Sequence, residues 1–377
     1  MADDKTLRAY LRLHLASGVG PVLFKRLIEA FGHVEGVVAA GPGQWKRVEG
    51  VGAKTAAAMA AVTDEDVDDE IAEAKNHDVQ ILHYDHPLYP QGLKNLYDYP
   101  PVLYVRGQLQ ECDAIGFGIV GSRQCTQYGL EQADRFSQML ARAGFTLVSG
   151  GARGIDAAAH RGALAAGGRT IAVMGCGLCQ SYPPENRELF EQIVAGGHGA
   201  LVSELPMKTA VLAGNFPTRN RIISGLSLGV LVVEAARRSG SLITARVAAE
   251  QGRQVFALPG RVDSISSQGT NELIRGGVIL AQNLQDILEH MGEVAAKVAP
   301  EQQAPPEPLL TAALNEVEKG LAALLSDGPL GVDELARRSG LESGKVMSAM
   351  TMLMLKGLVA QRAGNIFERR KGAGQLF

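Results

Sequence analysis

Two successive segments, each a short apolar run followed by glycines and a helical pattern, constrain the fold of this chain most strongly. Residues 115–120 form the first apolar run, and apolar side chains then recur at helical spacing over residues 128–143. Residues 145–149 form the second run, which also ends in glycines directly before a helical pattern. Repeated strand–turn–helix units predict parallel strands whose carboxyl ends meet at one edge of a sheet.

Both turns combine small residues with one arginine, in the order Gly121, Ser122, Arg123 and then Gly150, Gly151, Arg153, Gly154. Backbone N–H groups and positive helix ends gather at such turns, and an arginine keeps its charge, so the pattern predicts a phosphate site. Glycines are also common at strand-to-helix turns for their positive φ alone, which is the structural alternative. Asp156 is expected to act as a first-turn helix residue rather than as a catalyst.

The remaining apolar runs predict a large sheet. Further strands are expected at residues 169–174, 200–203, 228–234, 253–258 and 278–279, and segments 79–82 and 102–105 are expected to extend one edge. The alternation of strands and helices predicts an α/β fold with an extended Rossmann-like, doubly wound and mainly parallel sheet. The run Gly175-Cys-Gly-Leu-Cys-Gln180 lacks the third glycine of a dinucleotide-binding turn, so no dinucleotide cofactor is expected.

A cluster of arginines follows the fourth of these strands. Pro217 and Thr218 are typical of a helix start, which places Arg219, Asn220 and Arg221 in the first turn. Cations at this end oppose the helix dipole, so their presence predicts a phosphate or a carboxylate opposite them. Side chains that offer stacking or charge at the same edge are expected from the loop after residues 169–174, namely Tyr182 and Arg187.

Four parts of the chain are expected: a helical domain over residues 1–76, the sheet domain over 77–291, a linker over 292–308 and a further domain over 309–377. The first part repeats a Gly-Val-Gly turn between helical patterns, which predicts a helix-hairpin-helix (SAM-like) domain. Its hairpin amides either contact DNA phosphates or serve only in packing. The last part has the order of a winged helix. Its third helix offers few base-reading side chains, so contact with protein and weak contact with DNA both stay open.

The composition limits the possible functions. The net charge is −3, so any nucleic-acid binding has to come from a local basic pocket. Cys176 and Cys179 have redox spacing but lie in a turn, and His83 and His86 lack a third ligand nearby, so neither redox nor metal chemistry is expected. The acidic N-terminus lacks a signal-peptide core and no segment reaches membrane-spanning length, which predicts a soluble, cytoplasmic protein.

The order of several motifs resembles the DNA-processing protein A family (DprA, also called Smf). The matching stretches lie within roughly residues 80–290 and include Gly118-Ile-Val-Gly-Ser-Arg123, Ser149-Gly-Gly-Ala-Arg-Gly-Ile-Asp156, Tyr182-Pro-Pro-Glu-Asn186, Phe216-Pro-Thr-Arg-Asn-Arg221 and Ser267-Gln-Gly-Thr270. Cys179 departs from the family pattern, which commonly has an acid at this position.

The resemblance implies a non-catalytic protein without a cofactor that binds and protects single-stranded DNA during natural transformation. It also implies that the protein loads the recombinase RecA, helps it displace single-strand-binding protein, and dimerises through the Rossmann-like domain. A base is expected to stack on Tyr182 or Phe190. The expected DNA contacts on this chain are Gly121, Ser122, Arg123, Gly150, Gly151, Arg153, Gly154, Tyr182, Asn186, Arg187, Arg219, Asn220 and Arg221.

Two alternative functions remain from the sequence. Nucleotide-sugar hydrolases of the lysine-decarboxylase-like type use a similar sheet and would make this chain an enzyme acting on nucleoside monophosphates. Glu234 beside Ser239-Gly-Ser241 resembles their acid, but their Pro-Gly-Gly-x-Gly-Thr signature is absent. The second alternative is a scaffold that binds only protein.

Overall fold

The structure, a computed structural model, describes residues 2–292, 314–325, 328–355, 358–362 and 366–369. The chain divides into two units, Met1–Gln302 and Gln303–Phe377. The predicted linker lies outside the described residues, apart from Gly292.

Six helices form the N-terminal region: α1 Ala2–His14, α2 Pro21–Phe31, α3 Val34–Ala39, α4 Pro42–Trp45, α5 Ala53–Ala61 and α6 Asp64–Asn76. One Gly-Val-Gly turn lies between α1 and α2 and the other between α4 and α5, as a pair of helix-hairpin-helix motifs requires. Gly18 and Gly50 have φ values of 85° and 95°, a conformation that favours glycine at these turns. α6 begins with acids behind a Thr63 cap, where negative charge complements the helix dipole.

The apolar runs form one sheet from β1 Val79–His83, β2 Val102–Gly107, β3 Gly116–Val120, β4 Thr146–Ser149, β5 Thr170–Val173, β6 Gly199–Ser203, β7 Gly229–Val232, β8 Gln254–Ala257 and β9 Ile279–Leu280. The strand order is β1-β2-β6-β5-β4-β3-β7-β8-β9. In this order, all neighbouring strands from β6 through β5, β4, β3, β7 and β8 to β9 pair in parallel. In contrast, β2 pairs antiparallel with both β1 and β6. The predicted fold class and the extension of one edge by the first two strands are therefore confirmed.

The helices that connect these strands are α7 Gln91–Lys94, α8 Gln127–Arg142, α9 Ile155–Ala165, α10 Arg187–Ala195, α11 Asn215–Gly225, α12 Gly240–Glu250, α13 Gln268–Arg275 and α14 Leu284–Leu288. Helices cover both faces of the sheet, so β3 to β7 are buried along their whole length. This burial explains why the strands are continuous apolar runs rather than alternating patterns. None of the described helices is long and apolar enough to cross a membrane.

The N-terminal helices share a hydrophobic core with the sheet. Leu27, Trp45 and Val67 belong to the same buried cluster as Tyr104 of β2 and Phe190 of α10. The helical region and the sheet are thus packed together within the first unit, and a domain boundary at residue 76 remains a prediction.

The second unit has its own small core. Its elements are α15 Glu316–Leu324, β10 Leu330–Gly331, α16 Val332–Ser339, α17 Ser343–Leu355, β11 Val359–Arg362 and β12 Ile366–Arg369. The three strands form an antiparallel sheet in the order β10-β12-β11. Leu321, Leu335, Val346, Leu353 and Phe367 are buried between the helices and this sheet. The arrangement confirms the predicted winged helix, whose hairpin turn at residues 363–365 lies outside the described residues.

Candidate functional site

A cavity of about 710 Å³ opens where the strand order of the sheet reverses. The chain runs from β3 to β4 on one side and later places β7 on the other side of β3, so the loops after β3 and β7 separate there. Crevices at such reversal points are the usual ligand sites of doubly wound sheets. The cavity is lined by residues 120–124 after β3, by Ala152 and Asp156 after β4, by Tyr182, by residues in 211–223, and by residues in 239–244 after β7.

Four side chains, two with a positive charge and two with an aromatic ring, converge in this cavity. The guanidinium carbon of Arg123 lies 5.1 Å from the ring centroid of Phe216, and that of Arg219 lies 5.9 Å from it. The Tyr182 ring lies 5.7 Å from the same Phe216 ring. Arg123 is exposed and forms no ion pair within the described residues, so its charge is available to a ligand. Phe216 and Tyr182 are half-buried.

Arg219 is buried beside the only acid that lines the cavity among the described residues, Asp156. Burial lowers the pKa of Arg219 to about 10, although Asp156 acts in the opposite direction, so the guanidinium stays charged at neutral pH. Burial has the opposite effect on the carboxyl group and raises the pKa of Asp156. Arg219 donates to the carbonyl oxygen of Val173, and its Nε has no hydrogen-bond partner. The cavity is thus lined by two arginines, Arg123 and Arg219, and by one carboxyl group, and this balance of charge favours an anion.

The glycines of the two turns allow close approaches that a side chain would block. A Cβ at Gly150 would overlap the Arg219 guanidinium, so only glycine lets this side chain pass the turn. Gly154 has a φ of 75°, and a Cβ there would lie 2.5 Å from the carbonyl oxygen of Ser122. Asn186 is buried and donates to the carbonyl oxygens of Gly151 and Ala152 at 2.9 and 3.2 Å. Gly154 therefore lets the two turns lie close together, and Asn186 holds the second turn in place.

Arg153 lies at the rim of a second, small cavity that it shares with Arg123, Gly150 and Tyr182. Its guanidinium forms an ion pair of 2.6 Å with Glu185, and both side chains are more than half exposed. The Glu185 hydrogen bond raises the pKa of Arg153. Exposed pairs of this kind are worth little and open easily, so Arg153 can exchange Glu185 for another anion.

Several predicted site residues lie elsewhere. Arg187 is exposed at the start of α10 and lines neither cavity, and Phe190 is buried beneath Gly151, so the prediction of Phe190 as a stacking ring was wrong. Arg221 is buried and forms ion pairs with Glu204 and Asp98. Its charge is thus compensated inside the protein.

The start of α11 was also predicted too late. The helix begins at Asn215, so Arg219 lies in its second turn and the helix dipole argument applies to it only weakly. The sequence reasoning missed Phe216 as a site residue. The signal was present, because Phe216 and Arg219 are three residues apart and therefore lie on the same face of a helix. The Ser239–Ser241 segment at the start of α12 was also missed as cavity lining.

Glu234 follows β7 but does not line either cavity. Its carboxylate accepts hydrogen bonds from the Thr126 amide at 2.8 Å and the Thr126 hydroxyl at 2.7 Å, and it is 2% exposed. It therefore ties the loop after β7 to the start of α8.

The two cysteines with redox spacing, Cys176 and Cys179, line neither cavity. Burial raises the pKa of Cys176 and of Cys179 to about 11, so both thiols are protonated at neutral pH. Thiol–disulfide chemistry needs a thiolate.

Comparison with known proteins agrees with this architecture. The family model "DNA recombination-mediator protein A" matches residues 80–292, and the model "DprA winged helix domain" matches residues 303–365. Protein Smf of Synechocystis sp. is 38% identical over 94% of this chain and 96% of its own length.

Solved structures show the same relationship. DNA processing protein A from Streptococcus pneumoniae superposes with a TM-score of 0.67 at 33% identity, over 75% of this chain and 97% of that one. A structure from Helicobacter pylori was reported for the single-stranded DNA binding mode of its DNA processing protein A. It superposes with a TM-score of 0.51 at 29% identity, over 59% of this chain and 97% of that one. The first family model alone covers more than half of the sequence. This chain belongs to the DNA recombination-mediator protein A family.

Proposed function

We propose that this protein binds single-stranded DNA across the cavity at the reversal point of the sheet. The observation that carries the proposal is the convergence of Arg123, Arg219 and Phe216 on one open crevice. The guanidinium groups supply charge for backbone phosphates, and the half-exposed ring supplies a surface on which a base can stack. The binding mode reported for the Helicobacter pylori relative supports the same ligand class.

The geometry favours a single strand over a duplex. A base can stack on Phe216 or Tyr182 only when it has left its own base stack, which is readily possible in single-stranded DNA. The N-terminus of α12 also reaches the cavity through Ser239, Gly240 and Ser241, and a helix N-terminus attracts phosphate. Arg153, at the rim, would extend the phosphate track beyond the cavity once it exchanges Glu185 for DNA.

The finer parts of the proposal rest on the family relationship. We infer that the bound strand is protected during DNA uptake and recombination and is passed to RecA, which displaces single-strand-binding protein. We also infer a homodimer formed through the Rossmann-like domain. No covalent chemistry on the DNA is required, because binding needs only the charges and rings described above.

The proposal predicts a clear preference in a binding titration. The full-length protein should bind a fluorescent single-stranded oligonucleotide at least about tenfold more tightly than the matching duplex, because only the single strand offers unstacked bases. The logarithm of the affinity should fall linearly with the logarithm of salt concentration, with a slope of about −0.7 for each phosphate contacted. Fluorescence anisotropy across salt concentrations measures both quantities. Equal affinity for the duplex, or affinity independent of salt, would contradict the proposal.

A further inference from the structure

The end of α6 and the loop after β5 bring together three side chains with metal-binding atoms. Glu73 lies in the last turn of α6, and His77 follows four residues later at its C-cap, so both face the same side of the helix. Cys179 belongs to the loop between β5 and α10. His77 Nε2 lies 3.2 Å from Glu73 Oε1, and Cys179 Sγ lies 3.4 Å from the same oxygen.

The spacing of these atoms suits a zinc ion. Bonds of about 2.0–2.3 Å to a tetrahedral zinc place its ligand atoms about 3.3–3.6 Å apart. Glu73 Oε1 lies 3.2 Å from His77 Nε2 and 3.4 Å from Cys179 Sγ, and all three ligand atoms lie within 4.8 Å of one another. Lys208 pairs with the other carboxylate oxygen of Glu73 at 2.9 Å, which holds the carboxylate with Oε1 towards His77 and Cys179.

We propose that Glu73, His77 and Cys179 bind one Zn²⁺ ion, with water in the fourth position. Thiolate and imidazole ligands select zinc over magnesium and calcium, which prefer oxygen ligands alone. The ion displaces the thiol proton of Cys179 on binding. The site is separate from the proposed DNA cavity, because none of its three residues lines that cavity.

The bound ion would join two parts of the first unit. α6 belongs to the N-terminal helices, whereas Cys179 lies three residues before Tyr182 in the loop that reaches the DNA cavity. Zinc at this position would hold the loop against α6 and so restrict the position of the Tyr182 ring.

Metal titration of the full-length, metal-free protein tests the site. Co²⁺ replaces zinc in such sites and shows a thiolate-to-metal charge-transfer band, so one equivalent of Co²⁺ should produce this band and Zn²⁺ should remove it. Cys179→Ser should abolish the band, and His77→Gln should weaken zinc binding by at least about 100-fold, since loss even of an outer partner costs 10–100-fold. His77 is exposed, so this second variant is expected to fold normally.

The matched control is Cys112→Ser, because Cys112 is an exposed free cysteine outside the cluster. This variant should keep both the band and the zinc affinity of the wild type. The proposal would be overturned by the absence of a charge-transfer band in the wild type, by a band that persists in Cys179→Ser, or by a change of less than tenfold in His77→Gln. Loss of the band in Cys112→Ser would also overturn it.

Discussion

Replacing both Arg123 and Phe216 with alanine is expected to weaken binding of single-stranded DNA by at least about 100-fold. Stacking of one base on an aromatic ring contributes about 1–3 kcal/mol, and a hydrogen bond to a charged group contributes about 1.5–3 kcal/mol. A 100-fold loss corresponds to about 2.7 kcal/mol, which is near the lower end of the sum of these two contributions. The lower end is used because the two side chains contact each other, so their effects need not add. Fluorescence anisotropy with an oligonucleotide measures the loss, and the dependence on salt should become shallower.

The control for this variant is Arg135→Ala. Arg135 is also an exposed arginine over a phenylalanine ring, 5.6 Å from the centroid of Phe136, but it does not line the cavity. Its replacement should change the affinity by less than about twofold to threefold, consistent with a single surface charge outside the site. Equal losses in the control and the double variant would show that overall charge, rather than this cavity, governs binding.

Replacing Arg221 with alanine is expected to lower the free energy of unfolding by about 3–5 kcal/mol. Arg221 is 7% exposed and is paired with Glu204 and Asp98, so its removal leaves Glu204 buried without its cation. Burial already raises the pKa of Glu204 while Arg221 opposes that effect. Without Arg221 the pKa should rise further, and the folded state should take up a proton. The loss of stability should therefore shrink as the pH is lowered, which denaturant titrations at several pH values can measure.

Two further variants separate this structural role from a role in DNA binding. Glu204→Gln in the Arg221→Ala background should recover part of the lost stability, because it removes the unpaired buried charge. Arg246→Ala, which breaks an exposed pair with Glu250, should cost less than about 1 kcal/mol. At a temperature where Arg221→Ala is folded, its affinity for single-stranded DNA should match the wild type. A stability close to that of the wild type, together with a loss of affinity, would contradict this prediction and show that Arg221 contributes to DNA binding.

The sheet could be predicted from the sequence because its central strands are buried on both faces. Such strands appear as mainly apolar runs, and β3, β4 and β5 also end at or near a glycine. The predicted and observed limits of β3 and β4 agree within one residue. The start of α11 was harder to predict. Proline was taken as the first helical residue, but here Pro217 follows Asn215 and Phe216, which already belong to the first turn.

The site was predictable in part, since the glycine turns identified the correct edge of the sheet. Arg219 and Arg221 look equivalent in the sequence, yet two residues on a helix are rotated by about 200°. Arg219 therefore faces the cavity, whereas Arg221 meets Asp98 and Glu204. These acids are distant in the sequence, so local reasoning could not pair them with Arg221.

Photo-crosslinking tests the central claim most directly. A single-stranded oligonucleotide that carries 5-iododeoxyuridine at one position can be irradiated with the full-length protein and the attached peptide identified by mass spectrometry. Stacking of a base in the cavity predicts attachment at Phe216 or Tyr182, whose rings lie side by side. Attachment confined to the winged helix or to the N-terminal helix-hairpin-helix motifs would contradict the account.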